Sequence, residues 1–542
     1  MAIGAALHIF QWYRSRPLWL DEEMIALNVR DRTLAELAGP LWLGQSAPLG
    51  WLALQRMLLV EFGTSERTLR ALPVLAGIGT LLIAFWAGRR WMGAVGALIF
   101  VVLCSFGAWI AFYPLELKPY SADVFGALLL AALAVWALEP AAGSPSAGRR
   151  AALWWVTAAA GHWFCNGALL VTPGCALIMF IVTWHRAGWR RAFPVALMGV
   201  TWLASFGLHY QLSIRHAFHS EYLENYWRWA LAPEAAGIGE TLSWLARRFE
   251  LLAVEPGGTR LWITFWLVAV FGIAHAVSKN TPLGLVLFTI PVSAFLLAAL
   301  RLMPLAERLS LWVLPALYAG IGLAADAVAR FAQMAFLRRS WIRLSLSVLA
   351  AAVVLRLCWD VYQAGAYERS VRPQSNHAVD DRAGVRFLLA HGQRNDVLVT
   401  SSFGLPAVWW YGGVSVADPN RGRTNEQDGS PIFEVRHFSP GPGCLSNDWK
   451  TDLGSAKRVA LYLGFASNIP KGFQELVLDR LSELGEMTTY RAVAEEGRAA
   501  IFDLTRPPKS WTLIVPTAAE GHILQPIARP GGCVRPRRAE RW

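Results

Sequence analysis

Charge is scarce in this chain: Asp, Glu, Lys and Arg make up 16% of its 542 residues, against about a quarter in ordinary soluble domains. Alongside so much apolar residue, that scarcity excludes a disordered or fibrous protein and sits poorly with a soluble enzyme. Acids are scarcer than bases, 38 against 50, which leaves a formal charge of +12. The surplus is scattered in small clusters between apolar runs and forms no single patch, which argues against a nucleic-acid partner. Cysteine is scarce too. The six present show no CxxC and no His/Cys ligand spacing, so a structural zinc site has no support. Cys104, Cys165, Cys175 and Cys358 read as small apolar residues in or beside spans; Cys444 and Cys533 are placed to pair if their compartment is oxidising.

What the chain has in quantity is apolar residue, 55% of the total with 27 Trp. Runs of bilayer length occur near 69–88, 93–113, 120–138, 151–167, 168–184, 193–212, 259–277, 282–301, 309–328 and 341–358, and a shorter one opens the chain at 1–13. We expect an α-helical polytopic membrane protein of about eleven spans. The closely spaced pair around Cys165 to Pro173 also admits one long kinked helix. Segment 1–20 reads as a degraded first span, or as the remainder of one that begins upstream; a cleaved signal peptide is disfavoured because no charged n-region precedes the run.

Loop charge alternates. Arg89–Arg90, Arg149–Arg150, Arg186 with Arg190–Arg191, Lys279, and Arg338–Arg339 with Arg343 fall in short loops nearly free of acid, which should face the cytoplasm. Segments 14–68, 114–119, 213–258, 302–308 and everything past about 360 then face outward. Beyond 360 the composition turns to alternating polar and apolar stretches, so we divide the chain into a membrane domain, 1–365, and a soluble α/β domain, 366–542, outside the membrane. Within the second, Asp396–Thr400, Arg458–Gly464 and Ala499–Leu504 read as strands, and Ala383–His391 and Phe473–Leu484 as amphipathic helices. Segment 412–456 reads as Gly/Pro/Asn/Asp-rich loop, and 504–542 stays unassigned.

Three outward loops carry the candidate chemistry. Directly after the first apolar run stand Asp21, Glu22 and Glu23, at the depth where a lipid headgroup would meet water; equally, three acids in a first turn suit a helix dipole. The stretch Met24 to Leu41 would then lie flat in the interface. A second loop gathers Tyr113, Glu116, Lys118, Tyr120 and Asp123 between two spans, where ionisable groups are costly and read as functional; a plain Glu116–Lys118 surface pair is the alternative. The third holds Arg301, Glu307 and Arg308. Arginine there suits a phosphate, or it snorkels to the headgroups.

Other polar groups have duller readings. His209, His216 and His219 with Glu221 and Glu224 form either a metal site or a polar covering loop. Trp154, Trp155, Trp227 and Trp229 read as interfacial anchors. Trp409-Trp410-Tyr411 reads as a core strand in preference to a glycan-stacking surface.

In order along the chain, RPLWLDEE, QSAPLGWLALQ, FGTSERTLRALPVLAG, ELKPYSAD and ERLSLWVLP resemble the bacterial membrane glycosyltransferases of the GT-C fold. The likeness is to the branch related to protein O-mannosyltransferases and the lipid A aminoarabinose transferase. It covers about 1–320, and DDRAGVRFLLAHGQRNDVLV extends it weakly into the second domain. The resemblance implies an inverting, polyprenyl-phosphate-sugar-dependent transfer (hexosyl or pentosyl) to a lipid, glycan or protein hydroxyl, at the outer face of the bacterial inner membrane. It implies Asp21 as catalytic base with Glu22 beside it, Glu116 and Asp123 as a second acidic loop, and Lys118 and Arg308 near the donor phosphate. Dependence on Mg or Mn stays open. Where some relatives carry Lys-Pro-Pro this chain has Gln45-Ser46-Ala47-Pro48, a departure at one possible phosphate contact. A transporter or lipid flippase is the alternative class, though the paired, Gly/Pro-broken spans of two repeated halves are not seen.

Overall fold

The computed structural model describes residues 1–141, 144–234, 237–370, 379–393, 395–414, 433–438, 453–465, 473–493, 497–509 and 537–538. The chain forms two compact units, Met1–Ser15 with Leu34–Val371, and Arg16–Thr33 with Arg372–Trp542.

The larger unit is helical. Among the described residues eight helices are long and apolar enough to cross a membrane, and nine if Ala94–Phe106 and Trp109–Leu115, bent by 59°, form one broken span. The other two expected spans are helices that fall short: Ala2–Arg14 has 13 residues and Pro145–Gly161 has 17. At 1.5 Å per residue the first covers about 20 Å, less than a hydrocarbon core of about 30 Å. Two separate helices flank Cys165, ending at Gly161 and restarting at Asn166, so the single kinked helix is not formed. Leu314–Leu337 is the enclosed centre, buried without interruption from Leu314 to Asp326. Small residues allow that enclosure: a Cβ on Gly272 would come within 1.8 Å of the Gly320 carbonyl oxygen, the close backbone approach by which membrane helices associate.

Three of the four tryptophans expected at the interface are interior. Trp154 is 0%, Trp155 7% and Trp227 9% exposed. The indoles of Trp154 and Trp155 donate to the carbonyls of Leu130 at 2.9 Å and Val195 at 2.7 Å, so the N–H needs no water.

The smaller unit is α/β. Among the described residues six strands lie in the order β4-β5-β3-β1-β2-β6: β1 (Asp396–Ser401), β2 (Phe433–Phe438), β3 (Arg458–Leu463), β4 (Glu486–Val493), β5 (Gly497–Asp503) and β6 (Arg537–Arg538). β1 pairs parallel with β2 and with β3; β5 runs antiparallel to β3, β4 to β5, and β6 to β2. β1 and β3 are buried almost throughout, as their continuous apolar runs require of covered parallel strands. Two corrections follow. Segment 412–456 is not all loop, because Phe433–Phe438 enters the sheet. Trp409-Trp410-Tyr411 ends a helix, Leu405–Tyr411, with Trp409 0% and Trp410 9% exposed; it is neither strand nor stacking surface. Cys444 and Cys533 lie outside the described residues.

The helix Leu20–Asp31 belongs to this smaller unit. The expected flat interfacial helix over Met24 to Leu41 is replaced by a packed one, with Ile25, Ala26, Leu27 and Val29 all at 0% exposure. Its last turn is fastened by Arg30, which donates to the carbonyls of Trp409 (3.1 Å), Trp410 (3.3 Å) and Val414 (2.6 Å). A guanidinium there meets the orphan carbonyls and the negative end of helix Leu405–Tyr411.

Candidate active site

In the membrane unit, Pro114 and Pro119 bracket a tight turn that delivers Glu116, Lys118 and Asp123, which are 2%, 5% and 7% exposed. The Lys118 N–H donates to the Glu116 carbonyl at 2.8 Å. Its ammonium donates to Gln45 Oε1 at 2.6 Å, so two loops far apart in sequence meet here. Arg308, in the turn Glu307–Val313, donates from Nε to Tyr120 Oη at 3.1 Å, and its guanidinium carbon lies 5.4 Å from the Trp227 ring centroid. Tyr120 begins helix Tyr120–Leu138 two residues after Lys118, so both cations are held at the same helix end. Arg301 is engaged differently, donating to the Ala232 carbonyl at 2.5 Å and pairing with Glu234 at 2.8 Å.

Asp123 is committed to the scaffold. Its Oδ1 accepts from the backbone N–H of Asn166 at 2.5 Å and of Gly167 at 3.1 Å. It thereby caps helix Asn166–Ala187, whose own N-cap, Cys165, makes no side-chain cap bond. Gly167 is required there, since a Cβ would fall 1.9 Å from the Asp123 carbonyl oxygen.

Within the His209 group, His209 itself stands apart as an enclosed residue at the end of helix Gly199–His209. His209 is 1% exposed, with its Nδ1 3.0 Å from that of His162 and the rings stacked at 5.2 Å; His219 approaches Tyr210 Oη at 3.5 Å. Among the described residues no three His, Cys, Asp or Glu side chains gather as metal ligands. An apolar groove of about 520 Å³, lined by Gly50, Val156, Ala159, Ala160, Trp163, Phe164 and Thr201, contains none of the charged candidates.

In the smaller unit the three adjacent acids have three environments. Glu22 is fully buried and turns back to accept from the Trp19 N–H at 3.3 Å, the reciprocal bond of a capping box; Arg16 Nη2 stands 3.8 Å from its Oε2. Asp21 alone is partly open to solvent. Glu23 is fully buried beside Asp381, itself 2% exposed, and Asp381 Oδ1 accepts from the Tyr462 hydroxyl. Burial pushes the Glu23 carboxyl well above its ordinary range, and the charges of Asp381 and Glu22 add to the shift. Burial raises Asp381 as well, against the lowering bond from Tyr462. Sequence reasoning missed this cluster. Its one local trace is the doubled Asp380-Asp381 at a helix start, where Asp380 alone supplies the cap, accepting from the Ala383 N–H at 2.9 Å.

No protein-family model matches the chain, and no curated protein does. Among solved structures it is similar to ArnT from Cupriavidus metallidurans in the apo state, at 12% identity, 94% of this chain against 99% of that one, and a TM-score of 0.48. The form of ArnT bound to undecaprenyl phosphate gives 11% identity, 92% against 97%, and 0.49. The oligosaccharyltransferase AglB from Archaeoglobus fulgidus, in complex with an inhibitory peptide and a dolichol-phosphate, gives 10%, 85% against 68%, and 0.42. These are GT-C glycosyltransferases, the group whose motifs the sequence resembles; likeness at these scores assigns no residue and no substrate.

Proposed function

We propose that the chain is an inverting glycosyltransferase that moves a sugar from a polyprenyl-phosphate donor to an acceptor hydroxyl at the outer face of the bacterial inner membrane, with the C-terminal unit extracytoplasmic. The observation that carries the reading is that Lys118, bonded to Gln45, and Arg308, bonded to Tyr120, are both held at the start of helix Tyr120–Leu138. An ammonium and a guanidinium are the groups suited to hold a phosphate near a lipid surface, and a lipid-linked phosphate is the anion that such a unit would meet.

The chemistry follows from what leaves. A polyprenyl phosphate departs as a stable anion, so the leaving group needs no proton, only positive charge to meet its own as the glycosidic bond breaks. Lys118 and Arg308 take that role. The acceptor oxygen loses its proton as it bonds to the anomeric carbon, and Asp21, the one acid of its triplet partly open to solvent, is the base. Glu22 fixes the first turn that bears Asp21, and Asp123 serves as a scaffold cap. One displacement from the opposite face inverts the anomeric centre.

Purified protein given radiolabelled polyprenyl-phosphate sugars with candidate acceptors tests the reading. Release of free polyprenyl phosphate with label in an inverted product is the expected result. Labelled lipid recovered intact, or a retained product through a glycosyl-enzyme, overturns it.

A further inference from the structure

The geometry points to Glu23 and Asp381 as a carboxylic acid–carboxylate pair that shares one proton and fastens the acidic helix Leu20–Asp31 to the C-terminal sheet, making both of them positioning residues for Asp21. The role given to Asp21 rests on the function proposed above; the pair itself does not.

Both oxygens of Glu23 are enclosed and meet no N–H or O–H donor among the described residues. No Lys or Arg among those residues forms an ion pair with either carboxyl. A bare carboxylate in such a place is expensive, and neutralising it is the ordinary escape. The neighbour close enough to share a proton is Asp381. Two features keep the negative charge on Asp381: the Tyr462 hydroxyl donates to its Oδ1, and it is the first residue of helix Asp381–His391, where the helix dipole favours an anion. The proton therefore rides on Glu23, whose O–H donates to Asp381. That bond engages one Glu23 oxygen, and the other, as the carbonyl oxygen of a neutral acid, costs far less to leave unmet than a carboxylate oxygen would.

The groups around the pair are engaged as follows. On the acidic helix the nearest titratable group is Glu22, matched by Arg16 at 3.8 Å. On the helix of Asp381 it is Asp380, engaged as a cap. From β3 it is Tyr462. Helix Leu405–Tyr411, packed on the acidic helix, brings Tyr411, whose Oη accepts from the Leu18 N–H at 2.8 Å. Fit is close: a Cβ on Gly464 would lie 2.9 Å from Asp381 Oδ1, and the Trp19 ring sits 6.2 Å from Phe465. These contacts lie past the carboxyl end of β3, next to β1. The chain leaves β1 for β2 on one side and returns to β3 on the other, so this is the crevice in which doubly wound sheets take ligands. Here the first loop of the chain occupies it.

The sign of the pH effect is fixed by linkage. Between the ordinary carboxyl range and the pair's raised titration the docked helix holds one more proton than the released one, so docking is strongest below that window. It weakens by about tenfold per pH unit as pH rises across the window and levels off above the pair's titration.

The test uses the full-length protein. Infrared spectra at neutral pH should show a protonated-carboxyl stretch that Glu23→Gln lacks. The exchange protection factors of the Leu20–Asp31 amides should fall with rising pH in the wild type and stay level in Glu23→Gln, whose amide N–H still donates to Asp381. The alkaline limb of transfer should flatten in that variant, and Glu23→Ala should lose the protection that Glu23→Gln keeps. A spectrum without the acid band overturns the proposal, as does wild-type protection that is level with pH, a measurement that needs no variant to fold. Protection that appears only on adding Mg²⁺, Mn²⁺ or Ca²⁺ also overturns it, since the carboxylates would then share a cation. If band and protection behave as expected while Asp21→Asn still turns over, the pair stands and the assignment of the base fails.

Discussion

Asp123→Ala should damage the fold before it damages the chemistry. The carboxylate accepts two backbone N–H groups from the first turn of helix Asn166–Ala187, at 2.5 and 3.1 Å, and the residue is 7% exposed. A hydrogen bond to a charged group is worth about 1.5–3 kcal/mol. Alanine also leaves two enclosed donors with nothing to meet, and the native N-cap residue makes no side-chain cap bond in compensation. We expect a loss of about 3–5 kcal/mol. Asp123→Asn keeps an acceptor oxygen at the same place and loses only the charge, so its loss should be nearer about 1–2 kcal/mol. Chemical unfolding of the detergent-solubilised protein measures both. Protein prepared under conditions where Asp123→Asn remains folded should still transfer sugar. The capping reasoning is refuted if Asp123→Ala unfolds at the wild-type denaturant concentration while turnover disappears, because the carboxylate would then serve the reaction.

The remaining expectations concern the two charged sites. Asp21→Asn should keep wild-type unfolding and exchange while transfer drops by about 10²–10⁴; unchanged turnover moves the base elsewhere. Lys118→Met should lower turnover by about 10²–10³, the effect of losing one positive contact to developing charge, and a wild-type rate would mean the phosphate rests on other residues. Arg30→Ala removes three bonds to the carbonyls around the end of helix Leu405–Tyr411 and should raise amide exchange throughout Leu20–Asp31. Arg30→Lys should recover only part of that protection, because a point charge cannot reproduce the guanidinium fan. Equal exchange in all three proteins would show that the Arg30 bonds do not hold the helix.

The sequence is legible where the physics is local. Apolar runs announce the long helices, since each satisfies its own backbone within one segment. The Val-Leu-Val of β1 and Val-Ala-Leu-Tyr-Leu of β3 announce buried parallel strands. It is illegible where a residue's partner is far along the chain. Nothing near Arg30 says that it will meet Trp409 to Val414, and nothing near Asp123 says that it will cap a helix beginning 43 residues later. β2 was hidden because Phe433–Phe438 is a single short run inside Gly/Pro/Asn/Asp-rich chain. The buried tryptophans misled for another reason: an indole looks interfacial until a backbone carbonyl inside the helical unit takes its N–H.

The acid triplet shows how similar residues in a row are separated by helix geometry. On a helix, successive side chains point about 100° apart, so Asp21, Glu22 and Glu23 cannot share one environment. Glu22 turns back to its own first turn, Glu23 faces Asp381 in the interior, and Asp21 is left partly open. Capping and the proposed base, offered by the sequence as rival readings of the whole triplet, are therefore compatible when given to different members. The buried third member then has a reason to be acidic: as a proton-sharing partner it would hold the helix in place, whereas an apolar residue there would leave the Asp381 carboxylate with the Tyr462 hydroxyl but without a donor from the helix.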